Sequence, residues 1–217
     1  MGKVFMHKKE VVCMLGLKTC GKDYNAQRYI KELDYKKIAL ADPLRQTLWN
    51  ILGYKPDDYQ EFKNCDIKAT HKTTLCKFIG LTETFKISTV RKLLQNTGSE
   101  FKHLFGQDFW ANLWKKAVLK SDKDVVCTDV RFDYEVEKAL SLTRKGCKVK
   151  FIWCCYKNAN FNEILKDNHE SERFNQFLYY NRNRYGLQDG CTITHKTMRQ
   201  ILKDYNSYLG DIHGYSN

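Results

Sequence analysis

The sequence predicts an α/β fold, a central parallel five-stranded sheet flanked by helices, and three observations carry that prediction. Short apolar runs alternate with helix-length amphipathic stretches along most of the 217 residues, and such alternation implies right-handed crossovers and a sheet covered on both faces. The runs are continuous in apolar character, as strands buried on both faces are. A content of 42% hydrophobic and 13% aromatic residues suffices for a full core, and with only 2 prolines the chain is neither low-complexity nor collagen-like. At this length a single domain over residues 1–217, with insertions, is expected.

Val11 to Leu15, bounded by Gly16, is the first strand, and Lys22 to Leu33 is the helix after it. Lys36 to Leu40 is the second strand. Asp42 places a carboxylate at a helix N-cap and Pro43 takes the first helical position, where its missing N–H costs nothing, so Pro43 to Leu52 reads as a helix. From Tyr54 to Lys86 the chain is Lys- and Thr-rich without a sustained period, an insertion of short helices and loops. Ser88 caps a helix from Thr89 to Phe105, Gly106 breaks it, and Asp108 caps the next, Phe109 to Lys120. Val125 to Cys127 is the third strand, and Asp133 caps its own helix to Thr143. Lys148 to Cys155 is the fourth strand. The helix Glu172 to Arg182, a weaker strand Cys191 to Thr194 and the helix Lys196 to Leu209 complete the pattern.

No apolar stretch approaches the roughly 20 residues that span a bilayer. The Val11 to Leu17 run is too short for a secretion signal and lacks a cleavage site, so neither membrane insertion nor secretion is expected. The 9 cysteines form no C-x-x-C pair, and Cys13, Cys127 and Cys154 sit inside strand-like runs, which points to a reducing, cytoplasmic compartment. Cys65, His71 and Cys76 match no zinc template. A net charge of +12 suits nucleic acid, phosphorylated small molecules or a merely soluble surface; the lysines are scattered rather than gathered, which weakens the first.

Three stretches bear chemistry. Gly16 to Lys22 has the G-x-x-x-x-G-K skeleton of a phosphate-binding loop between a buried strand and a helix. There backbone N–H groups and a helix N-terminus supply partial positive charge, and Lys22 adds a full one. Asp23 replaces the usual Ser or Thr after the lysine. At the end of the third strand, Asp129, Arg131 and Glu135 stand where such enzymes bind magnesium or an acceptor. In the third stretch Arg91, Gln95 and Gly98 share one helix face, with Arg91 suited to clamp a phosphate and Gln95 to read a base edge. The alternative there is a solvated face with Leu93 and Leu94 inward.

Taken in order, Gly21-Lys22-Asp23, Ala41-Asp42-Pro43-Leu44, Arg91-Lys92-Leu93-Leu94-Gln95 with Gly98, Asp108-Phe109-Trp110, Asp129-Val130-Arg131-Phe132 with Glu135, and His169 with Ser171-Glu172 resemble the deoxynucleoside monophosphate kinases of tailed phages and large DNA viruses. The resemblance implies a P-loop kinase fold with an acceptor-side insertion over 54–86 and a lid over about 156–185. It implies transfer of the γ-phosphoryl of ATP to a deoxynucleoside 5′-monophosphate with Mg2+, in a viral setting inside the host cytoplasm. Gly16, Lys18, Cys20, Gly21, Lys22 and Tyr24 would hold the donor. Asp23 and Asp129 are the candidate metal ligands, and Lys22, Asp23, Arg91, Asp129 and Arg131 the catalytic set. Arg91, Lys92, Gln95, Trp110, Asp129, Arg131 and Glu135 would hold the acceptor, with Trp110 at the base and Arg173 as a lid arginine. Tyr24 stands where the family commonly has Thr, and the 54–86 insertion has no counterpart.

Two other readings stay open: a kinase for another small phosphorylated acceptor on the same fold, and a degenerate phosphate-loop protein that binds nucleic acid. Nucleotides are the expected partners, with a homodimer left open.

Overall fold

The computed structural model describes residues 8–52, 90–155 and 170–214. The expected insertion from Tyr54 to Lys86, the Cys65, His71 and Cys76 trio, and the first part of the expected lid, through His169, lie outside the described residues. Two compact units form: residues up to Ala39 together with those from Lys115 onward make one, and Leu40 to Trp114 make the other.

The first unit is built on a five-stranded sheet. Its central strand β1 (Glu10–Leu15) is lined by Val11, Val12, Cys13, Met14 and Leu15, all fully buried, which is why this stretch reads as continuously apolar. The strands β2 (Lys36–Lys37), β3 (Val125–Cys127), β4 (Lys148–Trp153) and β5 (Thr192–Ile193) complete it in the order β2-β3-β1-β4-β5. β1 runs parallel to β3, with Val11 opposite Val125, and parallel to β4, with Val11 opposite Val149. β2 is a parallel edge strand on β3.

The sheet is mixed rather than wholly parallel, because β5 lies antiparallel to β4, with Phe151 opposite Ile193. Residues 181 to 191 lead into β5 through turns rather than through a helix. The Gly190 N–H donates to the Trp153 carbonyl at 2.8 Å and the Trp153 N–H to the Cys191 carbonyl at 3.0 Å, so the chain is laid down beside β4 from its far end.

Helix α1 (Lys22–Lys31) covers one sheet face, where Ala26, Tyr29 and Ile30 pack on Val12, Met14, Val126 and Ile152. Each large aliphatic side chain buried this way contributes about 1.5–3 kcal/mol. Helix α2 (Asp42–Leu52) carries Asp42 one position inside its start: Ala41 accepts the first helical bond from the Arg45 N–H, and the Asp42 carboxylate takes the Arg45 guanidinium at 3.2 Å. Helices α3 (Val90–Phe105) and α4 (Phe109–Lys120) are separated at Gly106, and the Asp108 carbonyl accepts the first α4 bond from Asn112, as a capping position requires.

In the second unit α2 and α3 pack where Gly98 leaves room for Leu44; a Cβ at Gly98 would stand 3.1 Å from the Leu44 Cδ2. Helix α5 (Asp133–Ser141) follows β3, α6 (Arg173–Tyr180) follows a short 3-10 turn at Glu170–Glu172, and α7 (His195–Gly214) closes the described chain.

Candidate functional site

At the carboxyl end of β1 the chain turns through Gly16 to Gly21 into α1. Gly16 has φ 140°, and a Cβ there would lie 2.3 Å from the Cys154 carbonyl oxygen and 2.6 Å from the Cys20 Sγ, so only glycine fits. Gly21, at φ 84°, is the N-cap and offers no side-chain cap. The first helical bond runs from the Asn25 N–H to the Gly21 carbonyl at 2.9 Å. The N–H groups of Lys22, Asp23 and Tyr24 therefore have no acceptor within the helix, and its positive end opens on the loop.

Lys22 turns back over this turn. Its ammonium donates to the Gly16 carbonyl at 2.7 Å and the Leu17 carbonyl at 2.6 Å, with the Cys20 Sγ at 3.7 Å. These are neutral acceptors, since burial pushes the Cys20 thiol up and keeps it protonated despite the nearby ammonium. A concavity of about 220 Å³ lies here, lined by Thr19, Cys20, Gly21, Lys22, Asp23 and Tyr24. Lys18 is exposed and Tyr24 is 83% exposed, whereas Cys20 is buried.

Asp23 is anchored from the end of β2 and from the residue that follows β3. Its Oδ1 accepts the Lys37 ammonium at 2.6 Å and the Thr128 hydroxyl at 2.8 Å. Partial burial raises its carboxyl, but these two hydrogen bonds outweigh it and hold the group below the usual carboxylate range. It stays ionised at neutral pH.

Beside it, the Cys127 thiol donates to the Asp129 Oδ1 at 3.2 Å, and burial, reinforced by the Asp129 charge, pushes that thiol well up. Glu135 folds back to the start of α5, where its Oε2 accepts the Arg131 N–H at 2.7 Å and the Phe132 N–H at 3.1 Å. The capping role read for Asp133 thus belongs to Glu135, one turn in, with Phe132 at the N-cap. Glu135 shapes the turn that presents Asp129 and Arg131. Arg131 donates to the Glu172 Oε1 at 2.7 Å and lies 3.4 Å from the Ser171 Oγ; its own side chain is 46% exposed and that of Glu172 only 5%. Arg173 is exposed at the first position of α6.

In the second unit Gln95 is exposed on α3, but Gly98 is buried, so the face expected to carry Arg91, Gln95 and Gly98 toward a ligand is partly a packing face. Leu94 points inward, as the alternative reading has it. The side chains of Arg91 and Lys92 lie outside the described residues. Trp110 is a correction: it is buried, its indole N–H donates to the Gly98 carbonyl at 3.1 Å, and its ring packs on Phe101 and Phe109 at 5.3 and 4.8 Å. That is a core position rather than an open platform for a base.

Lys37, Thr128 and Asn175 join this neighbourhood although the motifs do not single them out. Thr128 adjoins Asp129 and Lys37 ends β2, so strand-end position was an available signal for both; Asn175, on the inward face of α6, carried none. Among the described residues no group of three or more His, Cys, Asp or Glu is placed to hold a metal ion, and no helix is long and apolar enough to cross a membrane. The carboxylates singled out from the sequence, Asp23 and Asp129, would be the candidate ligands if a magnesium ion were held here, since that ion takes one or two carboxylates and completes its shell with water and other oxygens. The chain matches no protein-family model and no curated protein.

Proposed function

We propose that this chain is a P-loop kinase that transfers the γ-phosphoryl of ATP to a deoxynucleoside 5′-monophosphate. The observation that carries the reading is the Lys22 ammonium resting on the Gly16 and Leu17 carbonyls at the open N-terminus of α1. A polyphosphate entering that turn exchanges neutral acceptors for anionic ones, a charge-assisted gain for every donor it meets. The turn from Leu17 to Lys22 holds the donor's phosphates through backbone N–H groups, with Gly16 giving the turn its shape, and Lys22 neutralises the transferring group. Asp23 and Asp129 would hold magnesium, which when bound would spread the phosphate charge further. Arg131 faces the acceptor phosphate from the end of β3; the acceptor roles of Arg91, Lys92 and Gln95 rest on the resemblance, and the buried Trp110 has no part in holding the base. Phosphoryl transfer needs positioning and charge rather than a protein nucleophile, and these side chains supply both.

The test is ADP release from ATP measured across the four deoxynucleoside and four ribonucleoside monophosphates. Stimulation by deoxynucleoside monophosphates supports the reading, and an ADP release that no monophosphate raises above background sinks it.

A further inference from the structure

Asn175 lies on α6, 1% exposed, 159 residues from Gly16 and 45 from Val130, and its amide joins both. The Gly16 N–H donates to its Oδ1 at 3.0 Å, and its Nδ2 donates to the Val130 carbonyl at 3.1 Å. The two partners fix the amide's orientation, since an N–H needs the oxygen and a carbonyl needs the nitrogen. One turn earlier, Glu172 takes the Arg131 guanidinium, so the start of α6 grips the loop after β3 twice. Gly16 is also where the backbone leaves β1 with φ 140° against the Cys154 carbonyl, a conformation that neighbouring contacts must maintain.

We propose that Asn175 is a positioning residue: it locks the Gly16 turn to the β3 end, so that the loop's donors and the Asp129–Arg131 segment are held in one fixed arrangement before any ligand arrives. The inference rests on the phosphate-loop reading of Gly16 to Lys22. Preorganised donors bind phosphate without first being ordered, so releasing this amide weakens phosphate binding even where the fold survives. A carboxylate in its place keeps the acceptor for Gly16 but turns a second oxygen on the Val130 carbonyl, breaking the lock at unchanged size.

The experiment compares the full chain with Asn175→Ala, Asn175→Asp and Leu178→Ala. Leu178 is fully buried on the same helix and serves as a packing control. Binding of inorganic tripolyphosphate is measured by calorimetry at a temperature where circular dichroism shows all four folded, and hydrogen exchange is followed in a peptide spanning Met14 to Cys20. The expected result is a loss of at least roughly tenfold in affinity for both Asn175 variants, with faster exchange in that peptide, while Leu178→Ala stays within about twofold of the parent. Equal affinities in the Asn175 and Leu178 variants overturn the positioning role, as does an Asn175→Asp chain that binds like the parent. If the parent chain itself binds no tripolyphosphate, the phosphate-loop reading falls, and exchange alone then decides the lock: faster exchange in the Asn175 variants than in Leu178→Ala upholds it, and equal exchange overturns it.

Discussion

The carboxylate of Asp23, in the first turn of α1, accepts the ammonium of Lys37, the last residue of β2, at 2.6 Å. The pair joins the candidate phosphate turn to the edge of the sheet, and the Thr128 hydroxyl on the same oxygen adds the end of β3. Both charged side chains are well exposed, so the pair's contribution to stability is at most about 1 kcal/mol. Asp23→Asn is therefore expected to lower turnover by roughly a hundredfold, as losing one preorganised charged group does, while shifting the melting temperature little and being rescued only in part by added magnesium. A melting temperature that collapses with activity would instead make Asp23 a residue that stabilises the helix start.

Lys22→Ala removes the full charge that sits over the turn. On the proposed kinase reading, turnover with ATP is expected to fall by about 3 kcal/mol of transition-state stabilisation, roughly a hundredfold or more, while the lost hydrogen bonds, which end on the carbonyls of the buried Gly16 and Leu17, cost about 1–3 kcal/mol of stability. The check is kcat and KM for ATP beside a melting curve; near-parental turnover would reduce Gly16 to Lys22 to an ordinary strand-to-helix turn.

The alternation of strands and helices was legible because burial writes itself into the sequence: Val11 to Leu15 is apolar throughout and lies in the middle of the sheet. Strand direction was not. Thr192 and Ile193 are too short a run to encode it, and the tight return through Gly190 that sets it is a property of backbone geometry. The glycines and lysine of the β1–α1 turn were legible as a motif. Asn175 was not, since a lone polar residue in an amphipathic helix reads as surface until its distant partners are known. Trp110 misled for the opposite reason, an aromatic side chain serving a core and a base platform equally well in sequence.

Trp110→Ala is expected to cost about 3–5 kcal/mol of stability, the usual range for emptying a large aromatic site. Phe101 and Phe109 lose one of their ring contacts, and the Gly98 carbonyl loses the indole donor. Chemical denaturation of the variant measures the loss. With whatever fraction remains folded, the ranking of monophosphates should be unchanged; a changed ranking at parental stability would restore Trp110 to the base.

Glu10 anchors the opposite end of β1, with Lys150 at 2.6 Å, Lys148 at 3.2 Å and the Tyr35 hydroxyl at 3.1 Å. Burial raises its carboxyl, but the hydrogen bonds from Lys150, Lys148 and Tyr35 outweigh it, leaving the group below the usual glutamate value of 4.5. A depressed carboxylate stabilises the fold above its unfolded value and loses that contribution as pH falls. Glu10 therefore adds stability in full above about pH 5, and the contribution drains away below pH 4.5. Glu10→Gln should lose about 1–3 kcal/mol at pH 7 and show a shallower decline between pH 5 and pH 3 than the parent. Parallel stability curves for the two chains would remove Glu10 from the acid response.

Arg131 holds two posts that a single substitution confuses. It is a candidate for the acceptor phosphate, yet its guanidinium already satisfies the nearly buried carboxylate of Glu172 at 2.7 Å. Removing one partner of such a pair leaves the other charged and under-solvated, at a cost approaching 3–5 kcal/mol for a fully buried pair and less here, where Arg131 is half-exposed. Arg131→Ala should thus lower both stability and turnover, and its activity loss alone would say nothing about the acceptor. A double-mutant cycle separates the two posts. Glu172→Gln removes the stranded charge, so Arg131→Ala made in that background should cost clearly less stability than it does in the parent, by about 1 kcal/mol or more. If Arg131 also meets the acceptor, its turnover loss persists undiminished in the Glu172→Gln background, expressed in KM or kcat for every monophosphate alike because a guanidinium reads the phosphate and not the base. Turnover that recovers together with stability would assign Arg131 to the Glu172 pair alone.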